Sequence, residues 1–318
     1  MAGITDLPFR NICRDFGAGL ATSEMLTSIT SLWHSKKSQS RLKLEGENGI
    51  RALQIAGSCP KQMAEAAKQA EACGAQIIDI NMGCPAKKVC NRAAGSALLR
   101  DESLVGQILR AVVEAVEVPA TLKIRTGWSP EQKNATRIAS IAEAEGIKCL
   151  TIHGRTRACR FKGEAEYDTI AEVTQKVAIP VIANGDIGNP DKARDVLAKT
   201  GAAAIMLGRG ARGRPWIFRE ITNALTGKNS TRPIELREIF STITTHLNAL
   251  YDHYGEQLGA RIARKHITWY LANPQLECHR TQAQQVRQVC NSVTTKKEQL
   301  TAIQGFYQWH SQLEDQVA

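Results

Sequence analysis

The 318-residue sequence lacks several features that would place it in a specialised class of protein. No apolar run approaches the roughly 18–20 residues that a membrane-spanning helix requires. The first residues, MAGITDLPFR, have neither the basic start nor the apolar segment of a secretory signal peptide, which predicts a cytoplasmic protein without membrane contact. The chain also has no internal repeat and no low-complexity tract, so we expect a globular protein.

Cysteine spacing and net charge narrow the range of ligands. The nine cysteines include no C-x-x-C pair. Such pairs are typical of zinc sites, so we predict no bound metal and mostly reduced, structural thiols. The chain has 41 Lys and Arg residues against 31 Asp and Glu residues, a formal net charge of +10. A basic excess favours a polyanionic partner, although charge alone does not identify a nucleic acid.

Short apolar segments alternate with helical segments between residues 19 and 210. Their continuous Val, Ile and Leu runs predict parallel strands covered on both faces. The predicted strands are 19–25, 50–57, 76–83, 119–125, 149–155, 179–186 and 203–210. The segments between them repeat apolar residues at the i, i+3, i+4 spacing of amphipathic helices, as in 60–73, 104–116 and 190–200.

This succession of strand–helix units predicts a (β/α)8 TIM barrel rather than a doubly wound sheet. One strand is missing from the pattern, because MAGITD resembles only the C-terminal end of a first strand whose body would lie before residue 1. We therefore expect a barrel with a truncated first strand as the first domain, at 1–228. Residues 229–318 carry only helical signals and predict a small all-helical domain after a polar linker.

Polar residues stand at the C-terminal ends of nearly all the predicted strands, where a TIM barrel builds its active site. They are Gln54, Asn81, Lys123, His153, Asn184, Asp186 and Arg209. Glycine-rich segments follow the last two strands, and their N–H groups and helix starts favour a phosphate. The second, LGRGARGRPW, matches G-x-G-x-x-G, but no later strand with an acidic residue follows. We therefore predict a mononucleotide phosphate site rather than a dinucleotide fold.

Two of the strand-end segments carry candidate chemistry. Lys123 lies inside an apolar strand, where an ammonium is costly unless it meets an anion or a polar ring edge. It could stabilise negative charge on a reduced flavin, or it could form a salt bridge with an acid such as Asp79. Cys84 follows Asn81 in INMGCPAKKV, close to two lysines. Its thiol could be structural, a nucleophile or a general acid, and the spacing does not decide among these roles.

Taken together, these motifs resemble those of the bacterial tRNA-dihydrouridine synthases, most closely the DusB branch. The matching segments cover essentially the whole chain and include DINMGCPAKKV, TLKIRTGW, TIHGRTRA, IPVIANGDI, LGRGARGRPWIF and RIARKHITWYL. The combination of NMGCPAKKV with HGRTR and NGD is highly specific. The resemblance implies an FMN-containing barrel with a C-terminal helical tRNA-binding domain. It also implies that NADPH reduces the flavin, which then passes a hydride to C6 of a uridine in tRNA.

The resemblance assigns roles to individual residues. Cys84 is implied as the catalytic acid that protonates C5 of the uridine. The residues implied at the FMN are Met1, Ala2, Gln54, Lys123, His153, Asn184, Gly185, Asp186, Gly208 and Arg209. Basic clusters after two strands and on one face of a C-terminal helix support an RNA partner. The residues expected at the tRNA substrate are Asn81, Lys87, Arg125, Arg155, Arg157, Arg261, Arg264 and Lys265.

Two alternative functions remain open at this point. An FMN barrel acting on a free pyrimidine would share the strand-end residues but would not need the helical domain or the arginine clusters. An inactive, truncated tRNA-binding homologue would be consistent with the missing first strand. In the leading hypothesis the partners are tRNA and NADPH, without metal or membrane, and we expect the protein to be monomeric.

Overall fold

The computed structural model describes residues 1–91, 93–227, 234–273, 276 and 280–317. The chain divides into two compact units. The first comprises Met1–Arg10 with Gly19–Gly210, and the second comprises Asn11–Ala18 with Ala211–Ala318. The predicted domain boundary between residues 228 and 229 lies outside the described residues.

A parallel sheet forms the centre of the first unit. The strands of the unit are β1 (Ala21–Thr22), β2 (Leu26–Thr27), β3 (Arg51–Ala56), β4 (Ile77–Met82), β5 (Ala120–Arg125), β6 (Gly127–Ser129), β7 (Gln132–Lys133), β8 (Cys149–His153), β9 (Val181–Asn184) and β10 (Ala204–Met206). The sheet order is β1-β3-β4-β5-β8-β9-β10, with β2 also paired to β3, while β6 and β7 form a separate antiparallel hairpin. In the described part of the chain no pairing joins β10 to β1, so the sheet is an open half-barrel.

Helices follow the strands of the first unit and make up most of the second. They are α1 (Leu7–Asp15), α2 (Lys36–Leu42), α3 (Pro60–Ala72), α4 (Lys87–Cys90), α5 (Glu102–Val113), α6 (Ala135–Ala144), α7 (Asp168–Lys176), α8 (Pro190–Thr200), α9 (Ile217–Leu225), α10 (Leu236–Tyr254), α11 (Glu256–Tyr270), α12 (Arg280–Ser292) and α13 (Lys296–Val317). The predicted barrel class and the helical C-terminal region are both confirmed. None of the helices in the described ranges combines the length and apolar character needed to cross a membrane.

Local sequence signals explain where the helices begin and end, as α8 illustrates. The Asn189 side chain accepts a hydrogen bond from the Lys192 backbone N–H at 2.8 Å, which caps the first turn. Pro190 occupies the first helical position, where a missing N–H costs nothing. Gly201 ends the helix at φ +64°, a conformation that glycine adopts without strain.

The two faces of the sheet have opposite character. Side chains alternate between faces along a strand, so every second residue belongs to one set. The set that packs beneath the helices is apolar and at most 2% exposed: Leu53, Ile55, Ile78, Ile80, Leu122, Ile124, Leu150, Ile152, Val181 and Ala183. The inner set is polar: Gln54, Asp79, Asn81, Thr121, Lys123, Arg125, Thr151, His153 and Asn184. The strands therefore alternate between an apolar face beneath the helices and an inner face that carries the polar groups of the site.

The second unit buries its own apolar core among its helices. Trp216 is fully buried and stacks on Tyr270 with ring centroids 6.3 Å apart, while Phe16 meets Trp216 edge to face. Burial of such aromatic side chains contributes about 1.5–3 kcal/mol each to folding. Tyr270 also places its hydroxyl 3.0 Å from Nδ1 of the buried His246. This unit therefore has an independent core in which α10 and α11 pack closely.

Candidate active site

Strand register brings the predicted polar residues into adjacent rows on the inner face. The register pairs Gln54 with Asp79, Asn81 with Lys123, and His153 with both Arg125 and Asn184. All of these residues except Asp79 lie in the C-terminal halves of their strands. Parallel strands present their C-terminal ends at one edge, which is the edge that carries the active site in TIM-barrel proteins.

A chain of hydrogen bonds fixes the start of the loop that carries Cys84. Gln54 donates from Nε2 to Asp79 at 2.6 Å and accepts at Oε1 from Asn81 Nδ2 at 2.7 Å. Asn81 in turn accepts at Oδ1 from the backbone N–H groups of Gly83 and Cys84 at 3.1 and 2.9 Å. Because each amide has one donor end and one acceptor end, the chain sets the orientation of both amides.

The other side of the same loop is held by residues further along the chain. Ser96 donates to the Cys84 carbonyl from its backbone N–H at 3.1 Å and from its hydroxyl at 2.8 Å. Cys90 places its thiol 3.6 Å from that carbonyl. Gly95 adopts φ +61°, and a Cβ there would lie 2.9 Å from the Cys84 oxygen. The backbone of Cys84 is thus fixed while its side chain stays half-buried.

Lys123 is a half-buried cation on the inner face. Its Nζ donates to Asn184 Oδ1 at 3.0 Å, and Asn184 donates to the Met206 carbonyl at 2.7 Å. The Asp79 carboxylate instead accepts from Gln54 and from the Thr121 hydroxyl, so the alternative of a direct Lys123–Asp79 salt bridge is not realised. Burial, with the charge of a neighbouring arginine, lowers the pKa of Lys123 to about 8. The ammonium has three N–H donors, and one of them meets Asn184.

Asp186 organises the arginines at the end of β9. Arg155 donates to both of its carboxylate oxygens, Arg209 donates to Oδ1 at 2.8 Å, and the Ala165 N–H donates to Oδ2 at 3.0 Å. Burial alone would raise the pKa of Asp186, but these hydrogen bonds outweigh it and lower the pKa to about 2. Asp186 is therefore an anion that orients Arg209. It would act on a bound phosphate only through Arg209.

His153 is a neutral side chain at the same edge. Burial, reinforced by the positive charges of Lys123 and the neighbouring arginines, lowers the pKa of His153 to about 2. Its Nε2 lies 3.4 Å from Arg155 Nη1, and because a guanidinium has only donors, Nε2 must be the acceptor. Gly185 approaches the ring closely, since a Cβ at its φ of +129° would lie 3.0 Å from His153 Cδ2.

Two of the arginines expected at the substrate are buried and fully engaged. Arg125 is 2% exposed and Arg155 is 3% exposed. Both donate to backbone carbonyls of the surrounding loops, namely those of Gly83, Thr156 and Arg160 for Arg125, and those of Lys162 and Gly163 for Arg155. Burial lowers the pKa of Arg125 to about 10. These guanidiniums hold the loops together rather than facing solvent.

The other residues predicted for the first unit lie closer to solvent. Met1 is half-buried, and its Sδ lies 3.9 Å from the point where a Cβ on Gly208 would stand. Ala2 is exposed, as is Lys87 on α4. Arg157 is half-buried and lies against Trp128, with its guanidinium carbon 4.3 Å from the ring centroid.

The three basic residues predicted on the C-terminal helix belong to the second unit. Arg261 is exposed and lines a cleft together with Arg264. Arg264 also donates to the Val293 carbonyl at 3.0 Å, while Lys265 is half-buried. The three residues share α11, as their spacing predicted. Tyr270, near the end of this helix, is a core residue.

Sequence reasoning missed aromatic residues at the edge of the sheet. Phe161 is 54% exposed, with the guanidinium carbons of Arg125 and Arg209 at 5.4 and 5.1 Å from its centroid. Its ring centroid lies 6.2 Å from that of His153. The available signal was a lone phenylalanine inside the basic segment RTRACRFK. Across the described residues, no group of three or more His, Cys, Asp or Glu side chains could hold a metal ion.

Comparison with known proteins identifies relatives along the whole chain. The family described as dihydrouridine synthase (Dus) matches residues 1–311. The chain is 53% identical over 307 residues to tRNA-dihydrouridine synthase B of Vibrio vulnificus, covering 96% of this chain and 94% of that protein. It is 57% identical over 272 residues to the protein of the same name from Pseudomonas aeruginosa, covering 86% and 82%.

Solved structures support the fold at much lower identity. Histamine dehydrogenase from Rhizobium sp. 4-9 aligns with a TM-score of 0.52 at 13% identity, over 78% of this chain and 47% of that one. A complex of 2-naphthoyl-CoA reductase with 2-naphthoyl-CoA aligns with a TM-score of 0.52 at 11% identity, over 70% and 47%. The chain spans about half the length of these two proteins, and the likeness concerns the fold alone. The family resemblance of the motifs is confirmed at the level of sequence, and the chain belongs to the dihydrouridine synthase family.

Proposed function

We propose that this protein reduces uridines in tRNA to 5,6-dihydrouridine, with FMN as its bound cofactor and NADPH as the source of reducing equivalents. Its relatives carry the name tRNA-dihydrouridine synthase B. The observation that carries the proposal is the placement of Cys84. The Asn81 side chain accepts a hydrogen bond from the Cys84 N–H and Ser96 donates one to the Cys84 carbonyl, which holds the loop at the C-terminal edge of the sheet, beside the polar inner face.

The residues at this edge suit a flavin mononucleotide. Lys123 offers unused N–H donors from a half-buried ammonium, which a polar ring edge or a negative charge would satisfy. Gln54 and Asn81 are aligned amides beside it. At Gly208 a Cβ would meet only the flexible end of Met1, so a ligand can approach the backbone there. Arg209 is half-exposed at the same end and can meet a phosphate.

When bound, FMN supplies the hydride that adds to C6 of the uracil ring. Cys84 supplies the other half of the reaction, because its Sγ–H donates a proton to C5. Hydride and proton together convert the C5=C6 double bond to a single bond, and the thiolate left on Cys84 regains a proton from water. The hydrogen bonds to the Cys84 backbone keep the thiol at one position during the transfer.

The uridine must leave the RNA stack to reach this edge. Flipping costs a few kcal/mol, which contacts in the site must offset. Exposed basic side chains, such as that of Lys87 in the first unit and that of Arg261 in the second, provide attraction for the RNA backbone. This need for RNA contacts separates the proposal from an FMN barrel that reduces a free pyrimidine.

The test uses the full-length protein and tRNA isolated from cells that lack dihydrouridine synthases. We expect purified protein to bind added FMN, the bound flavin to bleach with NADPH, and mass spectrometry to show a gain of 2 Da (about two hydrogens) at specific uridines. Reduction of free uridine or uracil at a comparable rate would favour the free-pyrimidine alternative. Binding of tRNA without flavin uptake or product would favour the inactive homologue.

A further inference from the structure

The arginines at the C-terminal edge of the sheet differ in whether their charge is already neutralised. Arg125 and Arg155 are buried and donate to loop carbonyls. Arg209 shares the Asp186 carboxylate with Arg155. Arg125, Arg155 and Arg209 are thus already paired with groups of the protein. Unpaired positive charge at this edge must come from other residues.

Arg100 and Arg157 lie on the same aromatic ring and are not neutralised. Their guanidinium carbons lie 4.4 and 4.3 Å from the centroid of Trp128. Within the described residues neither side chain has a hydrogen bond or an ion pair, and Arg157 Nε is buried without a partner. Since neither guanidinium is paired with a carboxylate of the described residues, each can donate hydrogen bonds to an anion from outside the protein. The indole fixes both guanidiniums through cation–π contacts.

The cluster is tied to the loop that carries Cys84. Arg100 ends the short helix Gly95–Arg100, whose second residue, Ser96, donates to the Cys84 carbonyl. Trp128 belongs to β6, and its carbonyl accepts from the backbone N–H of Ala158 at 2.9 Å. Three chain segments that follow β4, β5 and β8 therefore meet at this indole. The cluster and the thiol share one edge of the sheet.

We infer that Arg100, Trp128 and Arg157 form a binding site for the phosphate backbone of the RNA strand that carries the target uridine. The inference deepens the proposed function and rests on it. Guanidinium groups suit phosphate oxygens because they present several N–H donors in a fixed plane. The half-exposed indole adds a surface on which a ribose or a base can pack. The net charge of +10 favours approach of a polyanion to the protein.

The test measures tRNA affinity as a function of salt concentration for the flavin-loaded, full-length protein. Each lost phosphate contact reduces the slope of log Kd against log salt by about 0.7–0.9, so Arg100→Ala/Arg157→Ala should lose about 1.5 in slope. Its affinity at low salt should fall at least tenfold. Arg100→Lys/Arg157→Lys should recover most of the slope because it keeps both charges. Trp128→Ala should weaken binding with a smaller change in slope, because the charges remain but are no longer fixed.

A matched control removes two charges from the opposite edge of the sheet. Lys148 and Lys176 are exposed residues that precede β8 and β9, so Lys148→Ala/Lys176→Ala makes the same change in net charge away from the site. We expect this control to keep the wild-type slope within about 0.3, well below one phosphate contact. Circular dichroism and thermal unfolding check that each variant is folded.

The outcomes separate the inference from the proposed function. Equal slopes for the arginine double variant and the lysine control would overturn the inference, whether or not the wild type makes dihydrouridine. An effect of the arginine variant on the KM for NADPH, with tRNA binding unchanged, would also overturn it and assign the site to the dinucleotide phosphate. Loss of slope in a protein that makes no dihydrouridine would support the RNA site while contradicting the proposed chemistry.

Discussion

At the scale of single residues, the Cys84 thiol is set apart from the other cysteines by its surroundings. Its loop is fixed by Asn81 from one side and by Ser96 from the other. Cys90 lies in the same segment, but its thiol is directed to the Cys84 carbonyl. A fixed backbone with a half-buried side chain suits a group that must deliver a proton to one carbon atom.

The first prediction concerns this proton. Cys84→Ala should bind FMN and be reduced by NADPH at the wild-type rate, yet form dihydrouridine about 10²–10⁴ times more slowly, the range typical of a lost general acid. The measurement is single-turnover product formation by mass spectrometry after reduction of the flavin. Cys90→Ala is the matched control and should stay within a few-fold of wild type. Normal product formation by Cys84→Ala would contradict the role of acid.

Lys123 leads to a prediction about pH. Burial lowers the pKa of Lys123 to about 8 in the protein without ligand, whereas a bound anionic or electron-rich ring edge would raise it. Below pH 8 the ammonium is already charged, so FMN affinity should be flat between pH 7 and 8. Above pH 8 binding must take up a proton, so affinity should fall by up to about tenfold per pH unit.

Fluorescence titration of FMN between pH 7 and 9.5 measures this dependence. Lys123→Met should bind more weakly at pH 7 and lose the decline above pH 8, because no proton is taken up. Lys148→Met, at the opposite edge of the sheet, should keep the wild-type profile. A profile that declines equally in Lys123→Met would show that another group is responsible.

At the scale of elements, the segment between β4 and α5 depends on one glycine. Gly95 adopts φ +61°, and a Cβ there would lie 2.9 Å from both the Cys84 carbonyl oxygen and Val89 Cγ1. A side chain at this position must displace the loop, and the strained backbone costs about 1–3 kcal/mol. The position of the thiol is therefore linked to the backbone conformation of Gly95.

Gly95→Ala is predicted to lower dihydrouridine formation at least tenfold while FMN content stays normal, since Lys123 and Asn184 are on other strands. The melting temperature should also fall by a few degrees, as expected for a loss of about 1–2 kcal/mol. Gly19→Ala is the control, because a Cβ there meets nothing within 4 Å. Wild-type activity in Gly95→Ala would contradict the coupling between this glycine and Cys84.

The sequence predicted the positions of the strands better than it predicted the contacts that their side chains make. Each predicted strand segment contains a strand, because buried apolar runs and glycine-rich ends mark parallel strands. The burial of Arg125 and Arg155 could not be predicted, because their partners are carbonyls of loops distant in sequence. The contact of Arg100 with Trp128 was missed for the same reason. The alternation of residues along a strand indicates on which face of the sheet a side chain lies. It does not indicate which groups pair with a charged side chain.

At the scale of the whole molecule, the chain is not divided simply along its length. Residues 11–18 belong to the second unit although they lie inside the N-terminal segment. Helix α1 therefore contributes residues to both units. The assignment of these residues to the second unit could not be predicted from the sequence. Helical periodicity shows that one face of a helix is buried, but not in which core it is buried.

The second unit contains buried histidines that make its stability depend on pH. Burial lowers the pKa of His246 to about 3, and it lowers the pKa of the adjacent His266 as well. Their ring centroids are 4.7 Å apart, and Tyr270 contacts His246 through its hydroxyl. In the unfolded chain a histidine titrates near pH 6.5, so between pH 6.5 and 3 the unfolded state binds more protons. Stability is therefore full above pH 6.5 and is lost as the pH falls toward 3.

The last prediction follows from this loss of stability at low pH. Between pH 7.5 and 5.5, wild type should lose about 1 kcal/mol of unfolding free energy for each histidine that stays neutral in the native state. His246→Gln keeps a hydrogen-bond acceptor for Tyr270 but cannot be protonated, so it should lose about 1 kcal/mol less than wild type over this range. The control is His34→Gln, which removes an exposed histidine and should leave the pH dependence unchanged. Urea unfolding at both pH values, followed by circular dichroism, measures the differences. If His246→Gln and His34→Gln showed the same pH dependence, His246 would not be the neutral buried base that its surroundings indicate.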